Sequence, residues 1–468
     1  MSSIFIIPLL VLVIKHVKRS KLNLPPSLTK FPIIGNRHQL GTVPHRSLQA
    51  LSRKYGPLML LHMGSIPTLV VSSAEMAREM MRTHDIAFSN CPMITAAKIF
   101  VYGCKDVAFA PFGEYWRHAR KICAQELLSL KRVQSFQYVL EEEVAFLTNK
   151  IRRSVLSNIM SRCVLGRKVE EENGRSMFGE LARGVVENFL AFYFGDIFSC
   201  LGWLDVVIGK IGRSKASFRA LDAYFDQVIE EHRISESDDD QSDRKDFVDI
   251  LLQLQKHGKL EIEITQDNIK AILLLSLSLS LSHTHIRHYQ LPSHVGVIDS
   301  TLIIIEWTMV KLMRNPNNKL NVDLSDIDQM EYLKRVIKES LRLHLSAPLL
   351  VPRETSAMIK IGGYDIPANT KVFVNTWFVN NPVDYKGQYF QFIPFGGGRR
   401  GCPGMSFGVS TAEYVLLVEF MKEMVTRILQ HCQKLQWNLL EPFALKICFQ
   451  FSDGWIICKI EKYVYNII

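Results

Sequence analysis

No CxxC pair occurs among the nine cysteines, which stand at 91, 104, 123, 163, 200, 402, 432, 448 and 458. That excludes a zinc ribbon and a disulfide framework, and it suits a reducing compartment. No internal repeat is present. No apolar run reaches the ~20 residues that a membrane-spanning helix needs. Acidic residues are the minority, 46 against 56 lysines and arginines, which leaves the chain at +10 with a pI near 9.0. Such a balance favours phospholipid head groups, nucleic acid or an acidic protein as partners. What is present is ordinary globular material: 47% apolar and 22% charged residues exclude wholesale disorder and collagen-like fibres. A length of 468 residues gives ample core, for two or three domains or one large enzyme.

The longest apolar run near the amino terminus is Ile4 to Ile14, followed at once by Lys15, His16, Lys18, Arg19 and Lys21. A secretory signal carries its positive charge before the apolar core, so this order reads as an anchor, residues 1–21, with the rest of the chain on the cytosolic side. Its eleven residues cover about half of a ~30 Å hydrocarbon core, which suits either a truncated span or a segment lying in the interface. A buried amino-terminal strand is the plain alternative. Residues 22–36 hold Pro25, Pro26 and Pro32, and prolines that fix φ and remove donors predict a stiff extended connector there. Residues 37–468 form the remaining domain.

Within that domain, Leu58 to Ser72 alternates and is rich in β-branched residues, with Gly64 and Pro67 marking a hairpin turn. Helical periodicity runs through 114–150, 176–194, 215–234, 244–257, 327–345 and 405–430, and short strand signals return at Met358–Ile366 and Lys371–Asn375. The expectation is a mainly α fold with small β-sheets. Leu273 to Ser282 is Leu/Ser alternation, followed by a polar stretch rich in histidine. The spacing of His283, His285 and His288 fits neither a helical pair nor a zinc pattern, so a non-native insertion over 276–294 explains it better. Asp238, Asp239 and Asp240 read as a solvated loop.

The strongest chemical signal is Phe395-Gly396-Gly397-Gly398-Arg399-Arg400-Gly401-Cys402-Pro403-Gly404. Three successive glycines let backbone approach something flat and large at close range. Cys402 then opens an apolar helical stretch, where backbone N–H groups and the helix dipole favour a thiolate. Arg400 can reach an anionic group on the same face. A soft thiolate beside an arginine suits haem iron and one propionate. A glycine-rich turn with a structural cysteine is the plain alternative.

The spacing Phe-x-x-Gly-x-Arg-x-Cys-x-Gly, matched at Phe395, Gly398, Arg400, Cys402 and Gly404, resembles the cytochrome P450 family of haem-thiolate monooxygenases. The chain looks most similar to the plant microsomal A-type group, from about Leu24 to Val415. The resemblance implies a cytochrome P450 fold, with heme b (iron protoporphyrin IX) between a long distal helix and the cysteine loop. It implies Cys402 as the metal ligand, and Trp116, Arg120, Arg353 and Arg400 as residues that contact the haem propionates. Glu339 and Arg342, three apart on one helix face, match the core Glu-x-x-Arg motif. Asp299 and Ser300 fall on the catalytic acid and alcohol that relay a proton to dioxygen, with Val297 and Ser300 departing from the usual glycine and threonine. The implied partners are O2, a small lipophilic substrate, an NADPH-cytochrome P450 reductase and membrane lipid, with no nucleic acid. A basic face near Cys402, to which Arg399 and Arg400 contribute, is expected to receive the reductase. The implied location is the endoplasmic reticulum membrane with the catalytic domain facing the cytosol, and the implied role is plant secondary metabolism.

The departures come in blocks. Residues 276–294 interrupt the distal helix and carry Pro292, the Pro-x-Arg meander is skipped after Asn375-Thr376-Trp377, and residues 416–468 leave the family pattern. Faulty exon joining accounts for blocks of this kind with intact flanks. The alternative to an active monooxygenase is therefore a non-catalytic or unstable product of the same gene family. A haem-thiolate isomerase or dehydratase is the third reading, and the Asp299–Ser300 pair weighs against it.

Overall fold

The structure, a computed structural model, describes residues 22–31, 34–41, 43–145, 152–167, 177–189, 191–235, 245–257, 264–281, 301, 304–305, 307–309, 328–378, 390–417, 446–452 and 455–461. Two compact units divide the chain, residues 1–416 and 417–468. The second contributes one antiparallel hairpin, β7 (Lys446–Ser452) and β8 (Trp455–Glu461), with Ser452 opposite Trp455.

In the first unit a four-stranded sheet has the order β1 (Leu58–Met63), β2 (Ile66–Val71), β6 (Lys371–Val374), β3 (Arg353–Glu354). β1 and β2 are antiparallel, β2 and β6 parallel, and β6 and β3 antiparallel. Period-2 alternation sorts its side chains onto two buried faces. Leu58, Leu69, Val71, Val372 and Val374 meet Met80, Met81, Phe88, Phe390 and Ile393 on one face. Met59, Leu61, Val70 and Phe373 meet Leu28, Leu40 and Leu48 on the other. The β1–β2 turn is Gly64-Ser65; Gly64 has φ +62°, and a Cβ there would lie 2.5 Å from Ile197. Pro67 is therefore not part of the turn: it sits inside β2 opposite His62, one residue before the ladder to β6 begins at Thr68. The proline-rich residues lie along the sheet, with Ser27 bridged to Leu60, Gly35 bridged to Met63 and Leu28 buried. A second hairpin joins β4 (Ile359–Ile361) to β5 (Tyr364–Ile366).

The helices are α1 (Pro44–Tyr55), α2 (Ala74–Arg78), α3 (Thr95–Phe100), α4 (Glu114–Lys121), α5 (Leu130–Ser135), α6 (Gln137–Ala145), α7 (Arg152–Leu165) and α8 (Met177–Phe189). They continue with α9 (Gly202–Val207), α10 (Lys210–Ser235), α11 (Phe247–His257), α12 (Gln266–Leu281) and α13 (Asp328–Leu343). Residues 405–417 are also helical. The periodicity over 114–150 is thus not one helix. A wide π-type turn over Ile122–Leu127 ends α4's line, and Ser129, whose Oγ accepts from Arg132 N, starts α5 afresh. α12 opens on a reciprocal cap: Thr265 N donates to Asn268 Oδ1 at 2.9 Å and Asn268 N to Thr265 Oγ1 at 3.4 Å. It runs into the Leu/Ser stretch, where the Ser276 hydroxyl is satisfied by the Ile272 carbonyl, 2.9 Å away. Residues 282–294, the histidines among them, lie outside the described residues, as do residues 1–21 and 379–389. No helix among the described residues is long and apolar enough to cross a membrane.

α10 and α11 are joined by a charged clasp. The His232 ring places Nδ1 2.8 Å from the Val228 carbonyl and Nε2 2.8 Å from Asp246 Oδ2. Asp246 also caps α11, accepting the Asp249 N–H at 3.0 Å, while Asp249 accepts the Asp246 N–H at 3.0 Å. These groups bring three ligand-type atoms together, but they are engaged with one another. Burial lowers the His232 pKa, yet the Asp246 hydrogen bond and charge, the Val228 carbonyl and Asp249 outweigh it and lift the value from 6.5 to about 9. A folded-state pKa raised in this way stabilises the fold fully below pH 6.5, and that contribution is lost as pH rises through 9. Thermal unfolding across this window should show the wild-type midpoint falling by roughly 2–4 °C more than that of His232→Gln; parallel curves would remove the clasp from the stability account.

Candidate active site

The glycine loop is built around two left-handed residues, Gly396 (φ +71°) and Gly398 (φ +66°). Cys402 N donates to the Phe395 carbonyl at 2.9 Å and Gly401 N to the Gly398 carbonyl at 3.0 Å, folding the loop back on itself. A Cβ at Gly398 would lie 2.5 Å from both Asp85 Oδ1 and the Met81 carbonyl oxygen, so backbone meets backbone there.

Three arginines fix this loop to its surroundings. Arg353 on β3, fully buried, donates from Nη2 to the Gly397 carbonyl at 2.5 Å, and its Nη1 stands 3.6 Å from Asp85 Oδ1. Arg399 donates its backbone N–H (3.0 Å) and Nη1 (2.8 Å) to Asp85 Oδ2. Arg400 donates from Nε to the Ser89 carbonyl at 2.6 Å, from Nη1 to the Val107 and Ala108 carbonyls at 3.1 Å each, and from Nη2 to the Ala110 carbonyl. Its guanidinium carbon is 4.5 Å from the Trp116 ring centroid. Burial pushes the Arg353 and Arg400 pKa values down, against the pull of Cys91 on both, Asp85 on Arg353 and Asp106 on Arg400.

Behind the loop, α4 carries Trp116 and Arg120 on one face, as the four-residue spacing predicts. The Trp116 indole N–H donates to the Val107 carbonyl at 2.9 Å, the same carbonyl that accepts from Arg400 Nη1 at 3.1 Å. Arg120 lies against the Trp116 ring, 5.5 Å from its centroid, close enough to Cys402 for the two to influence each other's ionisation. Cys402 is exposed; desolvation by the protein around it pushes the thiol pKa up, and the Gly404 N–H and the Arg120 charge push it down. The helix at 405–417 begins directly after this N–H.

Glu339 and Arg342 pair bidentately on α13, Nε to Oε2 at 2.8 Å and Nη2 to Oε1 at 2.6 Å, and this contact raises the Arg342 pKa. The pair is not buried; the Glu339 side chain is 47% exposed. Asp299 and Ser300 lie outside the described residues; Thr301, which follows them, is helical, and its Oγ1 lies 3.0 Å from where a Cβ on Gly408 would stand.

Sequence reasoning missed Asp85, the shared acceptor for Arg353 and Arg399, and the 107–110 carbonyls that receive Arg400. It also missed Asp106, buried completely, whose carboxylate accepts the Ala108 (3.0 Å) and Phe109 (3.2 Å) N–H groups and whose pKa burial lifts to about 6. An isolated aspartate carries no local signal, and a carbonyl carries none at all.

A profile of the family described as Cytochrome P450 matches residues 25–433. A phenylacetaldehyde oxime monooxygenase from Prunus mume is 42% identical over 449 residues, 85% of this chain and 82% of that protein. Cytochrome P450 71A1 from Persea americana is 41% identical (82% and 83% covered), and a strychnine-11-hydroxylase from Strychnos nux-vomica is 40% identical (82% of each). A zebra fish cytochrome P450 solved with progesterone superposes with a TM-score of 0.63 at 20% identity, covering 80% of this chain and 90% of that one, and this shares the fold. The chain belongs to the cytochrome P450 family, within its plant A-type members. Its class is an oxidoreductase, a monooxygenase of the family whose cofactor is heme b, which works with dioxygen, a small substrate and a redox partner.

Asp85→Ala should unseat the cysteine loop. Removing one partner of a buried charge pair costs ~3–5 kcal/mol, and the exposed Arg399 brings the expected loss to the lower end. Denaturant unfolding should read that loss; a change below ~1 kcal/mol would remove Asp85 from the loop's anchorage.

Proposed function

We propose that Cys402 is the proximal iron ligand of a membrane-bound monooxygenase that oxidises a small lipophilic plant secondary metabolite. The observation that carries this reading is the loop that presents Cys402, folded back by Cys402 N on the Phe395 carbonyl, wound through left-handed Gly396 and Gly398, and held in place by three arginines. The donor set fits haem: a soft sulfur for iron, with the Arg120 guanidinium beside it. When bound, the haem supplies oxygen activation. Trp116 and Arg400 would support it by stiffening the 107–110 segment, and Phe395, Gly398 and Gly404 by shaping the loop. Asp299 and Ser300 are the residues we assign to moving a proton toward the reacting oxygen. The Glu339–Arg342 pair holds α13.

For a substrate with an aromatic body, support comes from relatives named for phenylacetaldehyde oxime and strychnine. Electrons from NADPH would arrive through a cytochrome P450 reductase. Because Arg399 is paired with Asp85 and Arg400 with carbonyls, the exposed cations Arg117, Lys121 and Lys131 on α4 and α5 are better placed to receive it. The carbon monoxide difference spectrum of the reduced protein tests the iron ligand: wild type should show the thiolate-type Soret band and Cys402→Ser should lose it. A band retained in the variant would overturn the assignment. Loss of haem uptake by the wild type itself would favour the non-catalytic alternative.

Membrane lipid is the second partner, at the cytosolic face of the endoplasmic reticulum. Besides residues 1–21, an apolar patch supports it: Trp203, Val206, Val207 and Ile208 are exposed, Val207 at 71%, and Lys210, Arg213 and Lys215 follow. Deleting residues 2–21 should shift only part of the protein to the soluble fraction, and adding Trp203→Ser with Val207→Asp should release most of the rest. An unchanged distribution in the combined variant would refute lipid contact by these two surfaces.

A further inference from the structure

α10 packs its apolar face on α8 and α3, yet its backbone hardly approaches α12. The link between α10 and α12 is polar. Lys270 on α12, its side chain 5% exposed, places Nζ 2.6 Å from Asp222 Oδ1 and 2.6 Å from Asp226 Oδ1, both carboxylates coming from α10. Gln266, also on α12, donates to Asp226 Oδ1 at 2.5 Å. A third element joins them, because the Tyr102 hydroxyl donates to the same Asp222 oxygen at 2.7 Å.

Tyr102 is held in an unusual backbone. Tyr102, Gly103 and Cys104 have φ values of +53°, +73° and +67°, one left-handed turn in which two residues carry a Cβ. L-residues other than glycine disfavour this region, and besides its own backbone bonds, Gly103 N to the Lys98 carbonyl at 3.1 Å and Lys105 N to the Val101 carbonyl at 2.9 Å, the turn is restrained from outside. The Asp222 hydrogen bond and the edge-on Phe218 ring, 5.0 Å from the Tyr102 centroid, are that restraint from α10. On its other side the turn leads directly into Asp106 and the 107–110 carbonyls that receive Arg400 and Trp116. The Lys105 carbonyl is tied to Tyr115, which in turn accepts from Asn268 of α12 at 3.0 Å.

We propose that Tyr102, Asp222, Asp226 and Lys270 form a latch that couples the seating of α10 on α12 to the carbonyl cradle of Arg400, and so to the stiffness of the Cys402 loop. Closed, the latch keeps the left-handed turn wound and the 107–110 carbonyls aimed at the guanidinium. When α10 moves away, Asp222 leaves with it, the turn relaxes, and the cradle loosens. An apolar contact between α10 and α12 would bind them without this dependence; a polar one, satisfied only when all partners are in register, has two distinct arrangements. Tyr102 and Lys270 are positioning residues, since neither touches the cysteine.

Hydrogen–deuterium exchange on the full chain tests the coupling without reference to haem or turnover, so its failure is separate from failure of the iron-ligand assignment. Tyr102→Phe removes one hydroxyl and keeps the ring. It should speed exchange at residues 103–110 about tenfold and leave strands β1, β2 and β6 unchanged. Lys270→Met should do the same and also speed exchange along 218–226. In the double variant Tyr102→Phe/Asp222→Asn, exchange at 103–110 should be no faster than in Asp222→Asn alone, because both act through one bond. Unchanged exchange at 103–110 in Tyr102→Phe would overturn the proposal. So would additive effects in the double variant, or acceleration by Lys270→Met that reaches the sheet equally.

Discussion

The arginine of the cysteine loop, Arg400, is the contact on which the rest depends. Its guanidinium draws together the carbonyls of residues 89, 107, 108 and 110, which belong to the irregular segments on either side of α3. Buried carbonyls need partners, and a planar fork of N–H donors can satisfy several at once where a lysine could not. These segments are thereby fixed, Trp116 finds an acceptor in one of them, and α4 with Arg120 is docked beside Cys402. Asp85 completes the anchorage by neutralising the two neighbouring cations, one buried and one exposed.

This arrangement explains why the region tolerates so many glycines. A side chain on Gly398 would occupy the space of Asp85 Oδ1, and the close approach is what lets one carboxylate serve two arginines. The thiol at the loop's end then sits between opposing influences: burial favours its neutral form, while the Gly404 N–H and Arg120 favour the thiolate. Neither influence comes from the cysteine's immediate chemistry; both come from how the loop is pinned.

Much of the secondary structure was legible because burial imposes periodicity. The β1–β2 hairpin, the strand at Lys371 and the helices at 247–257 and 328–343 follow from alternation or a 3.6-residue repeat. The reading failed where a local bond overrode the pattern, as when Ser129 restarted a helix that periodicity alone would have continued. It failed also at Pro67, which chemistry assigns to turns but which the β1 ladder accommodates opposite His62. The first residues of the Leu/Ser stretch continue α12 to Leu281, with the Ser276 hydroxyl satisfied by the Ile272 carbonyl.

The sequence by itself determined the family, because the spacing from Phe395 to Gly404 is a short-range property: which residues share one turn, and which helix begins after them, needs no distant partner. It also placed Trp116 and Arg120 on one face. Only the tertiary structure decided what those residues touch. Asp85 lies 314 residues from Arg399, Ser89 lies 311 from Arg400, and Asp222 lies 48 from Lys270. No local periodicity reports such pairings. They are set by which buried charges and carbonyls the packed helices and sheet bring within hydrogen-bonding distance, and losing a partner at any of these places would cost a sizeable part of a stability margin of ~5–15 kcal/mol.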